Sequence, residues 1–579
     1  MIKLLKNLKW IDYLFILLIC GLVGLQVFLD LKLPDYMLAI TTELENIKFG
    51  IDVNMQVILS NGGYMLACAF GSLATAISVH FFSANISSRL AFSLRGKIYN
   101  KIQNFSLAEI NKFSTASLIT RTTNDVTQIQ MFLSMGLQAL IKAPILAVCA
   151  VLKILDKGWQ WSTVTASAIG IMFVVIVVVV VFAIPKFKKI QTLTDNLNRV
   201  TRENLTGIRV VRASNAEDFE ANKFEGCNDA ITKNNLFASR IMALMGPVMN
   251  LIMSGMSLAI YWIGAYIVKD FAGLGNMMVF MSYSMQVVMA FMLLIMIFIL
   301  MPRALVSARR LNEILDTKNS IVSGYYKDEN FDEKSSVVFE NVSFKYPDAD
   351  EYVLRDISFE ANEGETVAFI GSTGSGKSTL INLIPRLYEA SEGRILVDGV
   401  DVKDYDFETL NKKIGYVPQR GVLFSGTVKS NVDFGDNFAD DEVVKKSISV
   451  AQASNFVSRM TDGIDSAIAQ GGTNVSGGQK QRLSIARAIA RKPEIFIFDD
   501  SFSALDYKTD RKLRSALKKH TDKATKFIVA QRIGTIKDAD KIIVLENGEM
   551  VGMGTHDQLL KDCKVYQEIA LSQLSKEEL

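Results

Sequence analysis

Apolar residues are unevenly distributed along this 579-residue chain. Nearly all of the long apolar runs lie before about residue 302, and beyond that point the chain reads as a soluble α/β protein. A helix needs about 20 apolar residues to cross a hydrocarbon core. Six stretches qualify, at 12–30, 55–85, 134–155, 159–184, 242–268 and 276–301. Lys142 interrupts the third and blurs its start. Between the spans, 86–133 and 185–241 are long, polar and helical in period, with few Gly or Pro residues. They predict helices that continue well past the membrane. The pattern divides the chain into a membrane domain (1–302), a charged linker (303–335) and a soluble domain (336–579).

Charge orients the spans. Lys3, Lys6 and Lys9 precede the first run; Arg89, Arg95, Lys97, Lys101 and Arg121 fill the second connection; Lys186, Lys188, Lys189, Arg199, Arg202, Arg209 and Arg212 fill the fourth. The alternation is positive-inside and places the N-terminus in the cytoplasm. The flank KLLKNLKW before residue 12 reads either as a short interfacial helix or as a plain charged flank. The first run is read as an anchor, not a cleaved signal, because no small-residue cleavage site follows it. A positive mean hydropathy (+0.23) beside 21% charged residues fits this two-part layout. The net charge of +3 is too small to argue for nucleic acid. Five scattered cysteines form no metal or disulfide pattern.

Two features of the spans carry candidate chemistry. His80 is a candidate proton or substrate group, against the commoner reading of a helix-end histidine satisfied by a carbonyl. Met278, Met281, Met285, Met289, Met292 and Met296 recur every three or four residues and share one helix face. Such a stripe is either packing or an adaptable surface for many substrate shapes.

In the soluble domain the strand 366-TVAFI-370 runs into 371-GSTGSGKST-379 and then a helix. This is G-x-x-x-x-G-K-[ST] in strand–loop–helix context. Gly371, Ser372, Thr373, Gly374, Ser375 and Gly376 supply backbone N–H groups to phosphates, Lys377 reaches the β- and γ-phosphates, Ser378 can ligate Mg²⁺, and Thr379 closes the motif. A second apolar strand, 494-EIFIFDD-500, ends in two carboxylates, with Asp499 at the position that holds Mg²⁺ in such folds. Between them, 474-NVSGGQKQR-482 starts a helix at Ser476, Gly477, Gly478 and Gln479, and a helix N-terminus suits a phosphate.

These motifs, in this order, resemble the ABC transporter superfamily, specifically exporters that fuse six spans to one nucleotide-binding domain. The resemblance covers nearly the whole chain and implies a fold: an all-α transmembrane domain of six helices with long cytoplasmic extensions, fused to an α/β P-loop ABC nucleotide-binding domain. It implies ATP and Mg²⁺ as ligands, Tyr346 as the aromatic stacking on adenine, Gln419 as a loop glutamine near the metal and the reacting water, Ser476–Gln479 as the signature, and 503-SALD-506 as the D-loop. It also implies coupling helices near Lys112–Leu118 and Ile208–Ala216, a last span that lines the cavity through Met281, Met285, Met289 and Met292, and residence in the bacterial cytoplasmic membrane.

The sequence departs from the family where hydrolysis is performed. The glutamate that activates water is Asp500, and the switch histidine is Gln531, in 527-FIVAQRIGTI-536. Gln470 stands where a glutamate is usual. Shortening the base by one methylene forfeits much of a contribution worth about 10²–10⁴-fold. With intact phosphate and signature motifs, the chain resembles the degenerate-site subunit of heterodimeric bacterial multidrug exporters. The expected function is ATP-driven export of amphipathic small molecules across the cytoplasmic membrane as one subunit of a heterodimer, with a second half-exporter and membrane lipid as partners. The alternatives are a dedicated lipid or peptide exporter or flippase, a homodimer with slow hydrolysis, and an ATP-gated channel.

Overall fold

The structure is a computed structural model that describes residues 1–46, 54–155, 159–267, 272–327, 336–347, 349–435 and 440–573. The chain divides into two compact units, one of residues 1–101 and 117–316, the other of residues 102–116 and 317–579.

The first unit is helical. A short α1 (Ile2–Leu5) precedes α2 (Trp10–Asn46) and α3 (Met55–Gln103). After an excursion into the other unit through α4 (Leu107–Phe113), the chain returns with α5 (Thr115–Thr120), a π-helical turn (Arg121–Asp125) and α6 (Val126–Leu155). The helices α7 (Trp159–Thr206), α8 (Ile208–Ala213), α9 (Glu217–Ile267) and α10 (Ala272–Asp316) complete it. Six helices among the described residues are long and apolar enough to cross a membrane, as expected. They outrun the hydropathy peaks. The last helix runs to Asp316, so 303–316, expected as linker, is the end of that helix. Of the rest of the expected linker, 317–327 is described without helix or strand and 328–335 lies outside the described residues.

Lys142 does not interrupt its helix. Its Nζ lies 3.2 Å from Asp30 Oδ2 on α2, and Lys153 on α6 lies 2.9 Å from Asp35 Oδ2. Ser72 donates to Asp30 at 2.5 Å, and from α10 the Tyr283 hydroxyl donates to Asp35 at 2.5 Å. Charges within apolar helices persist when they find partners, and here two acids and two bases balance across α2 and α6. The N-terminal flank contains the short helix α1: Leu4 is wholly buried, Leu8 nearly so, Lys3 of α1 pairs with Asp316 of α10, and Asn7, just after α1, accepts from Lys97 of α3. His80 lies in the middle of α3 on an exposed face, which removes the helix-end explanation.

The second unit holds two main sheets. A four-stranded antiparallel sheet has the order β2-β1-β4-β5, with β1 (Val337–Phe344), β2 (Leu354–Ala361), β4 (Glu392–Val397) and β5 (Val400–Asp401). The larger sheet has the order β12-β11-β3-β10-β9-β6, from β3 (Thr366–Gly371), β6 (Ile414–Val417), β9 (Ile495–Asp499), β10 (Thr525–Val529), β11 (Lys541–Glu546) and β12 (Glu549–Gly554). A two-stranded ribbon joins β7 (Gly426–Thr427) to β8 (Ala467–Ile468). The strands β3, β10, β9 and β6 are parallel and nearly continuous in apolar residues, as strands covered on both faces must be. Parallel pairing brings the C-terminal ends of β3, β9 and β10 together, and ligands bind at such ends.

Candidate functional site

The loop after β3 is shaped by glycine. Gly374 (φ +87°) and Gly376 (φ +92°) occupy the left-handed region, and a Cβ on Gly376 would strike Leu354 and the Val353 carbonyl. Lys377 opens α11 (Lys377–Ile381) and is buried. Its ammonium donates to the carbonyls of Gly371 (2.9 Å) and Ser372 (2.7 Å) and lies 3.2 Å from Ser375 Oγ. Burial pushes its pKa down, while Asp500 and Asp499 oppose the shift.

At the end of β9, Asp499 Oδ1 accepts a 2.7 Å hydrogen bond from Ser378 Oγ. Two hard oxygen donors are thereby set side by side, the chemistry Mg²⁺ takes from a protein that also offers it phosphate oxygens. No group of three or more His, Cys, Asp or Glu able to hold a metal exists among the described residues, so any ion here depends on such additional oxygens. Burial raises the pKa of Asp499, and the neighbouring Asp500 adds to the effect. Burial likewise raises that of Asp500. Two adjacent buried carboxyls fit a cation.

The two departures from the family meet each other. Gln531 Nε2 donates to Asp500 Oδ2 at 2.9 Å, and Gln419 Nε2 reaches the same oxygen at 3.4 Å. Asp500 itself has φ +45°, and its N–H donates to the Val529 carbonyl. Aspartate tolerates this left-handed conformation better than most side chains. One oxygen of the Asp500 carboxylate is thus held by two amides.

Tyr346 is half-buried, its hydroxyl 3.0 Å from Thr379 Oγ1. Hydrogen bonds therefore link Tyr346 to the phosphate loop, Ser378 to Asp499, and Gln419 and Gln531 to Asp500. The Ser476 group stands apart from this network. Ser476 caps the helix Gly477–Ala490, accepting from Gln479 N–H, while its own N–H donates to Gln479 Oε1 at 2.8 Å. Gly477 has open space at its Cβ position, and a Cβ on Gly478 would sit 3.2 Å from the Ala504 carbonyl. The capping helix is fastened to the Gln419 loop by Gln481, which donates to the Pro418 carbonyl, and by Arg487, which donates to the Val422 carbonyl and lies beside the stacked rings of Phe424 and Phe434. Gln470 lies in a short 3₁₀ turn before this helix.

The methionine stripe occupies the less buried face of α10. Met278, Met289, Met292 and Met296 are exposed and Met281 and Met285 partly so, while Val279, Phe280, Tyr283 and Val287 are fully buried on the opposite face. The range Lys112–Leu118, read as the first coupling helix, is not one helix: α4 ends at Phe113, Ser114 has φ +57°, and α5 begins at Thr115. The range Ile208–Ala216, read as the second, contains α8, ended by Ser214 and Asn215 (φ +48°). Composition missed Glu109, whose buried carboxylate accepts from Ser106 and Ser320. Its capping-box spacing, Ser106 to Glu109, was legible in the sequence.

Residues 46–291 match the family described as ABC transporter transmembrane region, and residues 354–503 match that described as ABC transporter. An uncharacterized ABC transporter ATP-binding protein of Mycobacterium tuberculosis is 39% identical over 522 residues, 89% of this chain and 88% of that protein. This chain belongs to the ABC transporter family. The uncharacterized ABC transporter ATP-binding protein YfiB of Bacillus subtilis is 35% identical over 89% of the chain and 90% of its own length. An ATP-dependent lipid A-core flippase of Syntrophus aciditrophicus is 31% identical over 82% of the chain and 79% of its own length. In fold, a bacterial Atm1-family ABC exporter solved with ATP bound superposes with a TM-score of 0.77 over 96% of each chain, at 23% identity. The transporter is therefore an integral membrane ATPase whose ATP-binding domain is coupled to transport.

Proposed function

We propose that this ABC transporter is the weakly hydrolysing subunit of a heterodimeric exporter of amphipathic small molecules in the bacterial cytoplasmic membrane. One observation carries the reading: the Asp500 carboxylate is engaged by Gln531 and Gln419 beside complete phosphate machinery. In this reading Gly371–Thr379 cradle the phosphates, Lys377 turns to the β- and γ-phosphates, and Tyr346 stacks on the base. Ser378, Asp499 and Gln419 would hold Mg²⁺, which neutralises charge on the phosphates. Asp500 occupies the base position but is short and already hydrogen-bonded. A donor missing from developing charge costs on the order of 3 kcal/mol, and Gln531 spends its amide on Asp500. Ser476–Gln479 form an intact N-terminus for the ATP held by the partner subunit, where turnover occurs. Nucleotide binding then moves the helices through α4 and α8, and hydrolysis at the partner's site resets them.

The methionine face of α10 supports the substrate class, because flexible thioethers accept many shapes. Met285→Ala with Met289→Ala is expected to change the relative transport of several unrelated dyes in vesicles while basal ATPase stays within about two-fold. Unchanged dye profiles would mean that the stripe is packing. A second reading, lipid export, is favoured by the likeness to the lipid A-core flippase. Against a charged headgroup, Asp30 and Asp35 of α2 are each neutralised by a lysine of α6, Lys142 and Lys153. Selective stimulation of ATPase by one lipid class, with no dye transport, would favour it.

A further inference from the structure

The helix α4 and Tyr346, the residue read as stacking on adenine, lie in the same compact unit, and a short chain of side chains joins them. Leu107 and Ala108 of α4 pack against the apolar core that contains Phe344 and Tyr388, and Tyr346 packs against the same core. Glu109, next along the helix, fixes the same N-terminal end through hydrogen bonds from Ser106 and Ser320. Burial disfavours its charge, but those hydrogen bonds outweigh it and hold the carboxyl below its ordinary range. Asn111 Nδ2 donates to the Tyr388 hydroxyl at 3.1 Å. The Tyr388 ring meets the Tyr346 ring edge-on, at 5.2 Å and 89°, and Phe344 closes the triangle at 5.0 Å and 5.6 Å. Edge-to-face rings have a preferred geometry, so displacing one displaces its partner.

We propose that Asn111 and Tyr388 are positioning residues that make α4 a sensor of the adenine base. The inference rests on the reading of Tyr346 as the stacking residue. A base lying on Tyr346 fixes that ring, the ring fixes Tyr388, and the Tyr388 hydroxyl holds Asn111. Phosphates would reach the Tyr346 ring only indirectly, through the Thr379 hydroxyl and the shared apolar core, so triphosphate without a base should fix α4 less. A site that hydrolyses poorly can then still report its occupancy to the helices. Coupling of this kind is reciprocal in binding free energy.

Hydrogen exchange of the full-length chain in nanodiscs, read at residues 105–113, tests the relay with saturating Mg-ATP or Mg-tripolyphosphate. The expected result is that ATP protects α4 more than tripolyphosphate does. In Tyr388→Phe, which removes only the hydroxyl, and in Asn111→Ala, that difference shrinks by roughly 3–10-fold, the value of one net hydrogen bond. Calorimetry should show both variants still binding ATP. Equal protection by the two ligands in the parent chain, or a difference that persists in both variants, would overturn the proposal. Tyr346→Ala separates the layers: unaltered ATP affinity there removes the stacking assignment itself, whereas lost affinity with an intact α4 difference in Tyr388→Phe removes only the relay.

Discussion

Replacing Asp500 by Glu and Gln531 by His together should raise ATP turnover of the purified chain by about 100-fold or more. The pair must change together because the two side chains hold each other. Gln531 Nε2 is 2.9 Å from Asp500 Oδ2, and the Gln419 amide shares that oxygen. Glutamate alone would extend the carboxylate but leave the Gln531 amide beside it as a competing donor. Histidine alone would restore a γ-phosphate donor with no base in reach. A positioned base contributes about 10²–10⁴-fold, and a donor aimed at developing charge about 10²–10³-fold. The Lys377, Ser378 and Asp499 arrangement needed by either is already in place. Glutamate suits the left-handed backbone at residue 500 less well than aspartate and costs about 1 kcal/mol of stability, too little to unfold a domain of this size. ATPase rates of the two single variants and the double variant decide the matter. A double variant no faster than the parent would remove the two substitutions as the cause of slow hydrolysis.

In the assembled complex, Ser476→Ala should slow ATP turnover about 10–100-fold, and Asp500→Asn should slow it by less than about two-fold. Ser476 is read as facing the γ-phosphate held by the partner subunit. Losing a hydrogen bond to a charged group costs about 1.5–3 kcal/mol, which converts to that range when the contact is made in the transition state. Part of the effect could come from the cap, because Ser476 also accepts from the Gln479 N–H. Ser476→Gly removes the hydroxyl at a cost of only a few tenths of a kcal/mol to the cap and so separates the two contributions. Asparagine at 500 can still accept from the Gln531 amide, so little is lost where little base catalysis exists. The reverse ranking, with Asp500→Asn inactive and Ser476→Ala mild, would mean that this chain's own site is the working one.

Local patterns were legible in the sequence, and distant pairings were not. The phosphate loop, Asp499 and the Ser476 cap are set by residues within a few positions of one another, so spacing alone placed them. Their mutual arrangement follows from parallel strands with apolar residues on both faces. The third span misled because Lys142 is explained by Asp30, 112 positions away, and hydropathy carries no trace of that pairing. Helix ends were underestimated for a similar reason: α10 continues to Asp316 on an amphipathic rather than an apolar pattern. The break within Lys112–Leu118 was not legible because it is set by the positive φ of Ser114, an ordinary serine in the sequence. The sequence flagged Asp500 and Gln531 as separate departures. Only the structure brings their side chains together, since one follows β9 and the other β10.

The central claim is that the site built on Lys377, Asp499 and Asp500 binds ATP and leaves it intact. The nucleotide that the purified chain retains tests it most directly. The chain is incubated with Mg²⁺ and labelled ATP for many turnover times of an ordinary exporter, passed rapidly through a desalting column, and the retained label resolved into ATP and ADP. The account predicts near-stoichiometric label that remains mostly ATP, and loss of the label in Lys377→Ala. Retention mostly as ADP, with steady release of phosphate, would contradict it.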